Sequence, residues 1–266
     1  MYGSGSTGGA GVALMAMAAL VFAGCTAAPA QAPQAAPLAQ GQRFYMQLSG
    51  TPEVPDGAQI VILDGADTPA STVRALQDSG VQVLCYFNAG GFEDWRSDAV
   101  RFPASTIGEP LDDWPGESWL DIREVEVLEP IMAARMDQCA DKGFDGVDPD
   151  NIDGYDAETG FGLTEADALG YMQVLARLAH ERGLLVGLKN AVELLAELAS
   201  TVDFAVNEEC LAYRECEAYQ VLVDLGRPVL HIEYSMPLGQ ACDSPPGFSS
   251  MVSDLDVGPG GQMCPA

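Results

Sequence analysis

Short apolar runs, most of them ending in a polar residue, alternate along the chain with stretches typical of helices or loops. A continuous apolar run is typical of a strand buried on both faces of a parallel sheet, whereas a half-exposed strand alternates apolar and polar residues. The predicted strands are 44–48, 59–64, 81–88, 118–121, 144–148, 184–189, 204–207 and 228–233.

Helices are predicted between several of these strands. Residues 164–167 resemble a capping box, apolar residues follow at helical spacing, and Gly183 stands where that helix should end. The segments 127–139 and 192–199 also predict helices. The first connection, 49–58, is too rich in proline and glycine to form one. Strands that alternate with helices indicate an α/β fold.

The polar residues at the ends of the predicted strands favour a closed barrel over an open sheet. In a barrel, site residues gather from the carboxyl ends of many strands, whereas an open sheet concentrates them at one switch point. We therefore predict one (β/α)8 TIM-type barrel domain over residues 43–266, irregular because its first helix is missing or short.

In such a barrel, the polar residues that end or follow the strands converge on one bowl. They are Asp64, Asn88, Asp121, Asp148, Asp150, Lys189, Asn190, Asn207, Glu208 and Glu233. Acidic sites of this kind either bind hard metal ions or hydrolyse glycosidic bonds. In hydrolysis, one acid protonates the leaving oxygen and the other attacks or activates water.

Several other kinds of site are excluded by the sequence. The two histidines, His180 and His231, lack the spacing of zinc ligands, and no nucleophile elbow, P-loop or dinucleotide-binding motif occurs. The acidic segment 143–155 resembles a calcium loop, but Thr159 stands where an EF-hand needs glutamate. We therefore expect no cofactor, no zinc site and no EF-hand calcium site.

The net charge of the chain limits the classes of partner that it is expected to bind. The sequence has 12 Lys and Arg against 39 Asp and Glu, a net charge of −27, and a pI of about 4.1. Such a surface repels nucleic acid and anionic lipid, and it attracts cations. We expect a monomer with no nucleic-acid partner. For most of these carboxylates, an acidic solvated surface without a binding role is the alternative.

The N-terminus predicts export. An apolar run at 12–24 is too short to span a bilayer comfortably, and it ends in small residues before Cys25. Residues 20–25 (LVFAGC) resemble a bacterial lipobox, in which Cys25 would be lipidated. No Lys or Arg precedes the run, and an ordinary signal peptide is the alternative. We predict a signal peptide over 1–25 and an Ala/Pro/Gln-rich tether over 26–42. The protein would be a lipoprotein held at an outer or cell-surface membrane by its lipid alone, or a secreted protein.

Six cysteines remain beyond the lipobox, an even number that predicts disulfides in an oxidising compartment. A disulfide between Cys210 and Cys216 would close one loop, and a disulfide between Cys242 and Cys264 would attach the C-terminal tail to the domain. For Cys85 and Cys139, a disulfide and a buried free thiol remain open alternatives.

Several ordered motifs of the domain point to one known family. They are YMQL at 45–48, CYFNAGGFEDWR at 85–96, WLDIR at 119–123, GFDGVDPDNIDGY at 143–155, GLKN at 187–190, FAVNEEC at 204–210 and EY at 233–234. Together they resemble glycoside hydrolase family 114, the endo-α-1,4-polygalactosaminidases and their relatives. The resemblance implies a (β/α)8-type barrel, no metal, and hydrolysis of α-1,4-linked galactosamine-containing polysaccharide.

The resemblance also implies roles for individual residues. It maps the acidic pair of the family onto Asp150 and Glu208, and we expect Glu208 to be the proton donor and Asp150 the nucleophile or base. Two positions depart from the family, which commonly has Glu in place of Asp148 and Ser in place of Asn88.

The other residues of the bowl are expected to bind the polysaccharide. Lys189 would separate the pKa values of neighbouring carboxylates, or would only neutralise their charge. The predicted substrate-binding residues are Asp64, Asn88, Asp121, Asp148, Tyr155, Lys189, Asn207 and Glu233. Two alternatives to the hydrolase remain: a non-catalytic carbohydrate-binding envelope lipoprotein on the same barrel, and a structural envelope lipoprotein.

Overall fold

The structure is a computed structural model that describes residues 1–9, 11 and 34–265. Residues 1–9 and 11 are exposed and have no regular secondary structure. The lipobox-like Cys25 and the apolar run before it lie outside the described residues. Residues 34–265 belong to one compact unit, which contains every helix and strand of the described chain.

Strands dominate the compact unit, and helices connect most of them. The strands are β1 Phe44–Gln47, β2 Ile60–Asp64, β3 Gln82–Asn88, β4 Gly91–Glu93, β5 Ile107–Pro110, β6 Glu117–Leu120, β7 Gly146–Asp150, β8 Leu185–Lys189, β9 Phe204–Glu208, β10 Val229–Glu233, β11 Phe248–Val252 and β12 Gln262–Met263. The α-helices are α1 Ala70–Asp78, α2 Val125–Lys142, α3 Glu165–Glu181, α4 Leu195–Leu198, α5 Cys210–Tyr213, α6 Gln220–Asp224 and α7 Leu238–Ala241.

The main sheet is an almost closed barrel. Its strands follow the order β1-β2-β3-β7-β8-β9-β10-β11-β12, and every neighbouring pair is parallel except β11 with β12. The two ends of the sheet meet, since β1 contacts both β11 and β12. No helix occurs between β1 and β2 in the described chain. The predicted α/β barrel with a missing first helix is therefore confirmed.

The predicted strand 118–121 does not belong to the barrel. It forms β6, the central strand of a separate antiparallel sheet with the order β4-β6-β5. The eighth parallel strand is instead β11, which the sequence pattern misses because Ser249 and Ser250 interrupt its apolar run. Both serines are buried, and Ser250 Oγ lies 3.0 Å from His231 Nδ1, so the neighbouring strand satisfies this polar side chain.

The longest helices, α2 and α3, begin and end close to the predicted positions. At the start of α3, the Asp167 N–H donates to Thr164 Oγ1 at 3.3 Å, and the Thr164 N–H donates to Asp167 Oδ2 at 3.0 Å. This is the predicted capping box. Gly183 follows α3 with a φ of +73°, and Gly143 follows α2 with a φ of +94°. The predicted helix 192–199 is reduced to one 3-10 turn and the short α4.

Part of the predicted tether contacts the barrel domain. The Ala35 N–H donates to the Gly183 carbonyl at 2.9 Å, and Leu38 is buried in the core. Gln40 Nε2 donates to a backbone carbonyl of α6 at 2.8 Å. The folded unit therefore begins before the predicted boundary at residue 43, because these residues bury apolar surface and satisfy a polar backbone group.

Disulfides join Cys85–Cys139, Cys210–Cys216 and Cys242–Cys264 in the described chain. The predicted pairs Cys210–Cys216 and Cys242–Cys264 are confirmed. Of the two alternatives left open for Cys85 and Cys139, the structure shows the disulfide. That bond ties β3 to α2 across 54 residues of sequence. By chain entropy, a loop of this length contributes about 4 kcal/mol of stability. No described helix is long and apolar enough to cross a membrane.

Candidate active site

Three neighbouring barrel strands end in charged residues. Asp150 ends β7, Lys189 ends β8 and Glu208 ends β9. Because these strands are adjacent and parallel, their carboxyl ends lie side by side at one face of the barrel. Lys189 Nζ lies 3.2 Å from Asp150 Oδ1 and 3.4 Å from Glu208 Oε1. The structure thus brings the two predicted acids to one ammonium group.

Each of these carboxylates has further hydrogen-bond donors. The Tyr86 hydroxyl donates to Asp150 Oδ2 at 2.7 Å. Asn190 Nδ2 donates to Glu208 Oε2 at 3.0 Å, and the Tyr234 hydroxyl donates to Glu208 Oε1. Asn190 Oδ1 in turn accepts from the Glu208 N–H at 2.9 Å. Both carboxylates are therefore oriented by side chains from neighbouring parts of the barrel before any substrate binds.

The chain leaves these three strands through residues in the left-handed region. The φ angle is +61° at Asn151, +48° at Asn190 and +63° at Glu209. Such angles are uncommon outside glycine, although asparagine adopts them more readily than most residues. Backbone strain of this kind persists only where surrounding structure enforces it, and it clusters at functional sites. The residues at this face of the barrel therefore have the strained backbone conformations that are typical of functional sites.

Burial and neighbouring charges set the ionisation of this group. Burial lowers the pKa of Lys189, but the charges of Asp150 and Glu208 outweigh that effect and raise this pKa well above its usual range. Burial and the charge of Asp150 raise the pKa of Tyr86 well above its usual range. At neutral pH, Lys189 is therefore a cation and Tyr86 is a neutral hydrogen-bond donor.

Asp148 lies inside the barrel, on the same face of β7 as Asp150 because side chains repeat every two residues along a strand. It is fully buried, and neither carboxylate oxygen has a hydrogen-bond partner. Burial raises the pKa of Asp148 to about 7, although the charge of Lys189 opposes this effect. The prediction that Asp148 binds substrate directly is therefore wrong, because a sugar has no access to it.

A cleft of about 530 Å³ contains the three charged strand ends. Asp64 lines it, as predicted, but the charge of Asp64 is already paired. Arg96 Nη2 lies 2.6 Å from Asp64 Oδ2 and 2.8 Å from Glu93 Oε1. Asp64 Oδ1 also accepts two backbone N–H groups at 2.9 and 2.7 Å. Arg96 and Glu93 lie within the family-like motif at 85–96, yet nothing in the strand pattern singles them out.

Glu117 is a further cleft residue, which the strand pattern of the sequence does not single out. It begins β6 and lines the cleft. The buried Asn88 donates from Nδ2 to Glu117 Oε2 at 3.0 Å, so Asn88 orients this carboxylate instead of contacting substrate as predicted. Burial and then the charges of Glu93 and Asp150 raise the pKa of Glu117 to about 7. Glu117 reaches the cleft because β6 pairs antiparallel with β4. The sequence instead predicts a barrel strand at 118–121, so it does not predict this position for Glu117.

Asn207 and Glu233 are buried supports and do not reach the cleft. Asn207 Nδ2 donates to the Tyr219 hydroxyl at 2.9 Å. Glu233 Oε1 accepts from the Leu211 N–H at 2.9 Å. Since side chains alternate along a strand, Asn207 points to the face opposite that of Glu208. The predicted substrate contacts of Asn207 and Glu233 are therefore wrong.

Two further predicted residues lie outside the cleft. The Asp121 carboxylate accepts hydrogen bonds from Arg123 at 2.7 and 2.8 Å. The Tyr155 hydroxyl donates to Glu193 Oε2 at 2.9 Å. Neither Asp121 nor Tyr155 lines the cavity. Asp121 lies outside the cleft because it follows β6, which belongs to the small sheet and not to the barrel.

One group of side chains in the described chain has the spacing of a metal centre, formed by Cys210, Cys216 and His231 with ligand atoms within 4.8 Å of one another. Both sulfurs are consumed by the Cys210–Cys216 disulfide. The His231 ring nitrogens lie 3.0 Å from Ser250 Oγ and 2.9 Å from Glu233 Oε1. In this state the group offers a metal neither a thiolate nor a free imidazole nitrogen.

Related sequences are found in a known enzyme family and in a bacterial protein. The profile of glycoside-hydrolase family GH114 matches residues 25–266. An uncharacterized protein of Deinococcus radiodurans is 31% identical over 196 residues, which cover 65% of this chain and 62% of that protein. The chain thus spans less than two thirds of the length of this relative.

Solved structures resemble the whole barrel. The crystal structure of Aspergillus fumigatus Ega3 in complex with galactosamine superposes with a TM-score of 0.83 at 36% identity, over 88% of this chain and 99% of that chain. The glycoside hydrolase domain of PelA from Pseudomonas aeruginosa superposes with a TM-score of 0.64 at 16% identity, over 82% of this chain and 97% of that chain. This second likeness shows the fold alone. Because the family profile spans the entire compact unit, the chain belongs to glycoside-hydrolase family GH114.

Proposed function

We propose that the protein is a glycoside hydrolase that cleaves α-1,4-linked galactosamine-containing polysaccharide with Asp150 and Glu208. The observation that carries this proposal is the pair of carboxylates held around Lys189 in the cleft. Membership in GH114 supports the glycosidase reaction. The galactosamine complex of the similar Ega3 structure supports an amino-sugar substrate.

In the proposed reaction, Asp150 is the nucleophile and Glu208 the proton donor. The Lys189 ammonium contacts one oxygen of Asp150 and the Tyr86 hydroxyl donates to the other, so the carboxylate is held in position, as a nucleophile requires. The Glu208 side chain is 27% exposed against 16% for Asp150, which suits the group that must reach the leaving oxygen. Glu208 would then act as the base when water hydrolyses the glycosyl-enzyme intermediate.

The position of Lys189 favours retention of the anomeric configuration. The two carboxyl groups are about 5–5.5 Å apart in retaining glycosidases and about 6.5–9.5 Å apart in inverting ones. Here both oxygens contact the same Nζ atom, at 3.2 and 3.4 Å. They reach the lower limit of the inverting range only if the three atoms lie on a straight line. An O···Nζ···O angle near the tetrahedral value would place these two oxygens within the retaining range.

The catalytic pair is tested by isosteric substitution. The purified protein should release new reducing ends from a de-N-acetylated α-1,4-galactosamine polymer. Asp150→Asn and Glu208→Gln should each lower kcat by about 10²–10⁴-fold or more, because each removes a proton-transfer or nucleophilic group while preserving shape. Glu197→Gln changes an exposed carboxylate outside the cleft and should leave the rate unchanged.

Two outcomes would contradict the proposal. If Asp150→Asn or Glu208→Gln kept more than about a tenth of the wild-type rate, the residue concerned would not be catalytic. If the wild-type protein bound the polymer without cleaving it, a carbohydrate-binding lipoprotein would be the better interpretation.

We also infer that the protein acts outside the cytoplasm, anchored through Cys25. The three disulfides of the described residues are typical of an oxidising compartment. Because Cys25 ends an apolar export run, we expect metabolic labelling with a fatty acid to mark the wild-type protein and to spare Cys25→Ser. A label that persists in Cys25→Ser would contradict the anchor.

A further inference from the structure

Two exposed tryptophans line the cleft, and the proposed reaction does not use them. Trp95 is 53% exposed and Trp114 is 43% exposed, and both border the cavity that contains Asp150 and Glu208. Large aromatic rings of this kind are among the side chains that contribute most when a partner covers them. Two such rings on one wall of a cleft therefore indicate a surface that a ligand covers.

The small antiparallel sheet brings these two tryptophans to the same end of the cleft wall. β4 and β6 are antiparallel, so the end of β4 lies beside the start of β6. The pairing continues beyond β4, since the Asp94 N–H donates to the Gly116 carbonyl at 3.1 Å. Trp95 directly follows Asp94, and Trp114 lies in the turn that leads into β6. The two residues are thus brought together by backbone pairing.

Gly116 makes room for the Trp95 ring. Its φ is +94°, and a Cβ atom at this position would lie 2.9 Å from Trp95 Cζ3. The ring therefore rests against the backbone of the turn, which limits its motion while leaving about half of its surface exposed. A ring that is ordered before binding loses less conformational entropy when a ligand covers it.

The chemistry of the cleft identifies the kind of ligand. A pyranose ring presents C–H groups on its faces, which suit an apolar indole, and polar groups at its edge. Glu117 lines the same cleft, has no cationic partner within 4.0 Å among the described residues, and is available to an ammonium group. A cation held over an indole gains a further electrostatic attraction. The cavity of about 530 Å³ is of a size that holds ligands larger than one sugar unit.

We propose that Trp95 and Trp114 form an aromatic platform that binds a sugar unit of the galactosamine polymer beside the unit whose bond is cleaved. This inference rests on the proposed function, which supplies the polymer. While Asp150 and Glu208 act on one unit, the platform holds another, and binding energy from that remote unit lowers the barrier at the reacting bond. The enzyme should therefore cleave long chains faster than short ones.

The test compares chain lengths in matched variants. The substrates are de-N-acetylated α-1,4-galactosamine oligosaccharides of increasing length, and the variants are Trp95→Ala, Trp114→Ala and Tyr213→Ala. Tyr213 is 69% exposed but does not line the cleft, so it controls for the loss of an exposed aromatic ring. Each tryptophan variant should lose about five- to tenfold in kcat/KM on the longest chain and much less on the shortest. Tyr213→Ala should keep the wild-type profile.

A binding measurement separates the platform from the reaction. The Kd for the polymer is measured with Asp150→Asn and with Asp150→Asn/Trp114→Ala, and the second value should be about five- to tenfold weaker. If the wild-type protein does not cleave but its binding depends on Trp114, the proposed hydrolysis fails and the platform stands. If the wild-type protein cleaves while the tryptophan variants keep its chain-length profile and its Kd, the platform is overturned. A protein that neither binds nor cleaves the polymer overturns both.

Discussion

At the scale of single residues, the alternation of side chains along each strand decides which predicted residues reach the cleft. Glu208 is in register with Ile232, and Asn207 is in register with His231. Because paired residues of a parallel sheet share a face, the first pair points into the barrel and the second points toward the surrounding helices. The sequence alone predicts which residues share the face of Asp150, Lys189 and Glu208, because every second residue of a strand points to the same face. It does not reveal that Asp148, on the correct face, lies too deep for contact with a sugar.

The buried Asp148 should make stability depend on pH. An unperturbed Asp has a pKa of about 3.9, whereas burial raises that of Asp148 to about 7 in the folded protein. Between these values, the folded state keeps a proton that the unfolded state releases, so the contribution of Asp148 to stability falls as pH rises from about 4 to about 7. The full shift corresponds to at most about 4 kcal/mol.

Asp148→Asn tests this effect, since it keeps the shape of the side chain and removes its ionisation. The free energy of unfolding, measured by urea denaturation at several pH values, should fall less steeply between pH 4 and 7 in Asp148→Asn than in the wild-type protein. Asp141→Asn alters an exposed carboxylate and should reproduce the wild-type slope. Parallel profiles for the wild-type protein and Asp148→Asn would show that Asp148 does not titrate in this range.

At the scale of elements, apolar runs predict strands but not their partners. The run at 118–121 reads like the other strands, and only its antiparallel pairing with β4 and β5 removes it from the barrel. Conversely, β11 contains two buried serines, Ser249 and Ser250, and the hydroxyl of Ser250 finds its partner on the neighbouring strand. The hydrogen bond between Ser250 and His231 joins residues 19 positions apart. A local pattern does not contain such a contact, so the eighth strand is not predictable from its own residues.

The small sheet between β3 and β7 has the greatest consequence for the site. It supplies Arg96, which neutralises Asp64. It also supplies Glu117, a cleft carboxylate that accepts a hydrogen bond from Asn88 but has no cationic partner among the described residues. It also supplies Trp95 and Trp114, whose exposure is evident only once the turn before β6 is placed. Barrel enzymes vary in function mainly through the segments at the carboxyl ends of their strands. In the proposed reaction, the acids therefore come from the barrel, whereas we expect recognition of the substrate to depend on this insertion.

At the scale of the whole molecule, acidic residues far outnumber basic ones. The chain has 12 Lys and Arg against 39 Asp and Glu. Lys189 is buried and Arg96 and Arg135 are half-buried, and each contacts two or more carboxylates. The chain as a whole therefore carries a net charge of −27, and the cleft contains Glu117, which has no cationic partner among the described residues. The field of such a charge raises the local concentration of a cationic polymer and repels an anionic one.

The effect of this field should be visible in the dependence of the rate on acetylation and salt. A de-N-acetylated galactosamine polymer carries ammonium groups, whereas the acetylated polymer is neutral. We expect a higher kcat/KM on the partly deacetylated polymer than on a fully acetylated polymer of matched length. We also expect that advantage to shrink as salt rises, since screening limits the reach of the field to about 8 Å at physiological ionic strength. The measurement is kcat/KM on both polymers at two salt concentrations. Equal rates that do not change with salt would show that the acidic surface serves solubility and does not select the substrate.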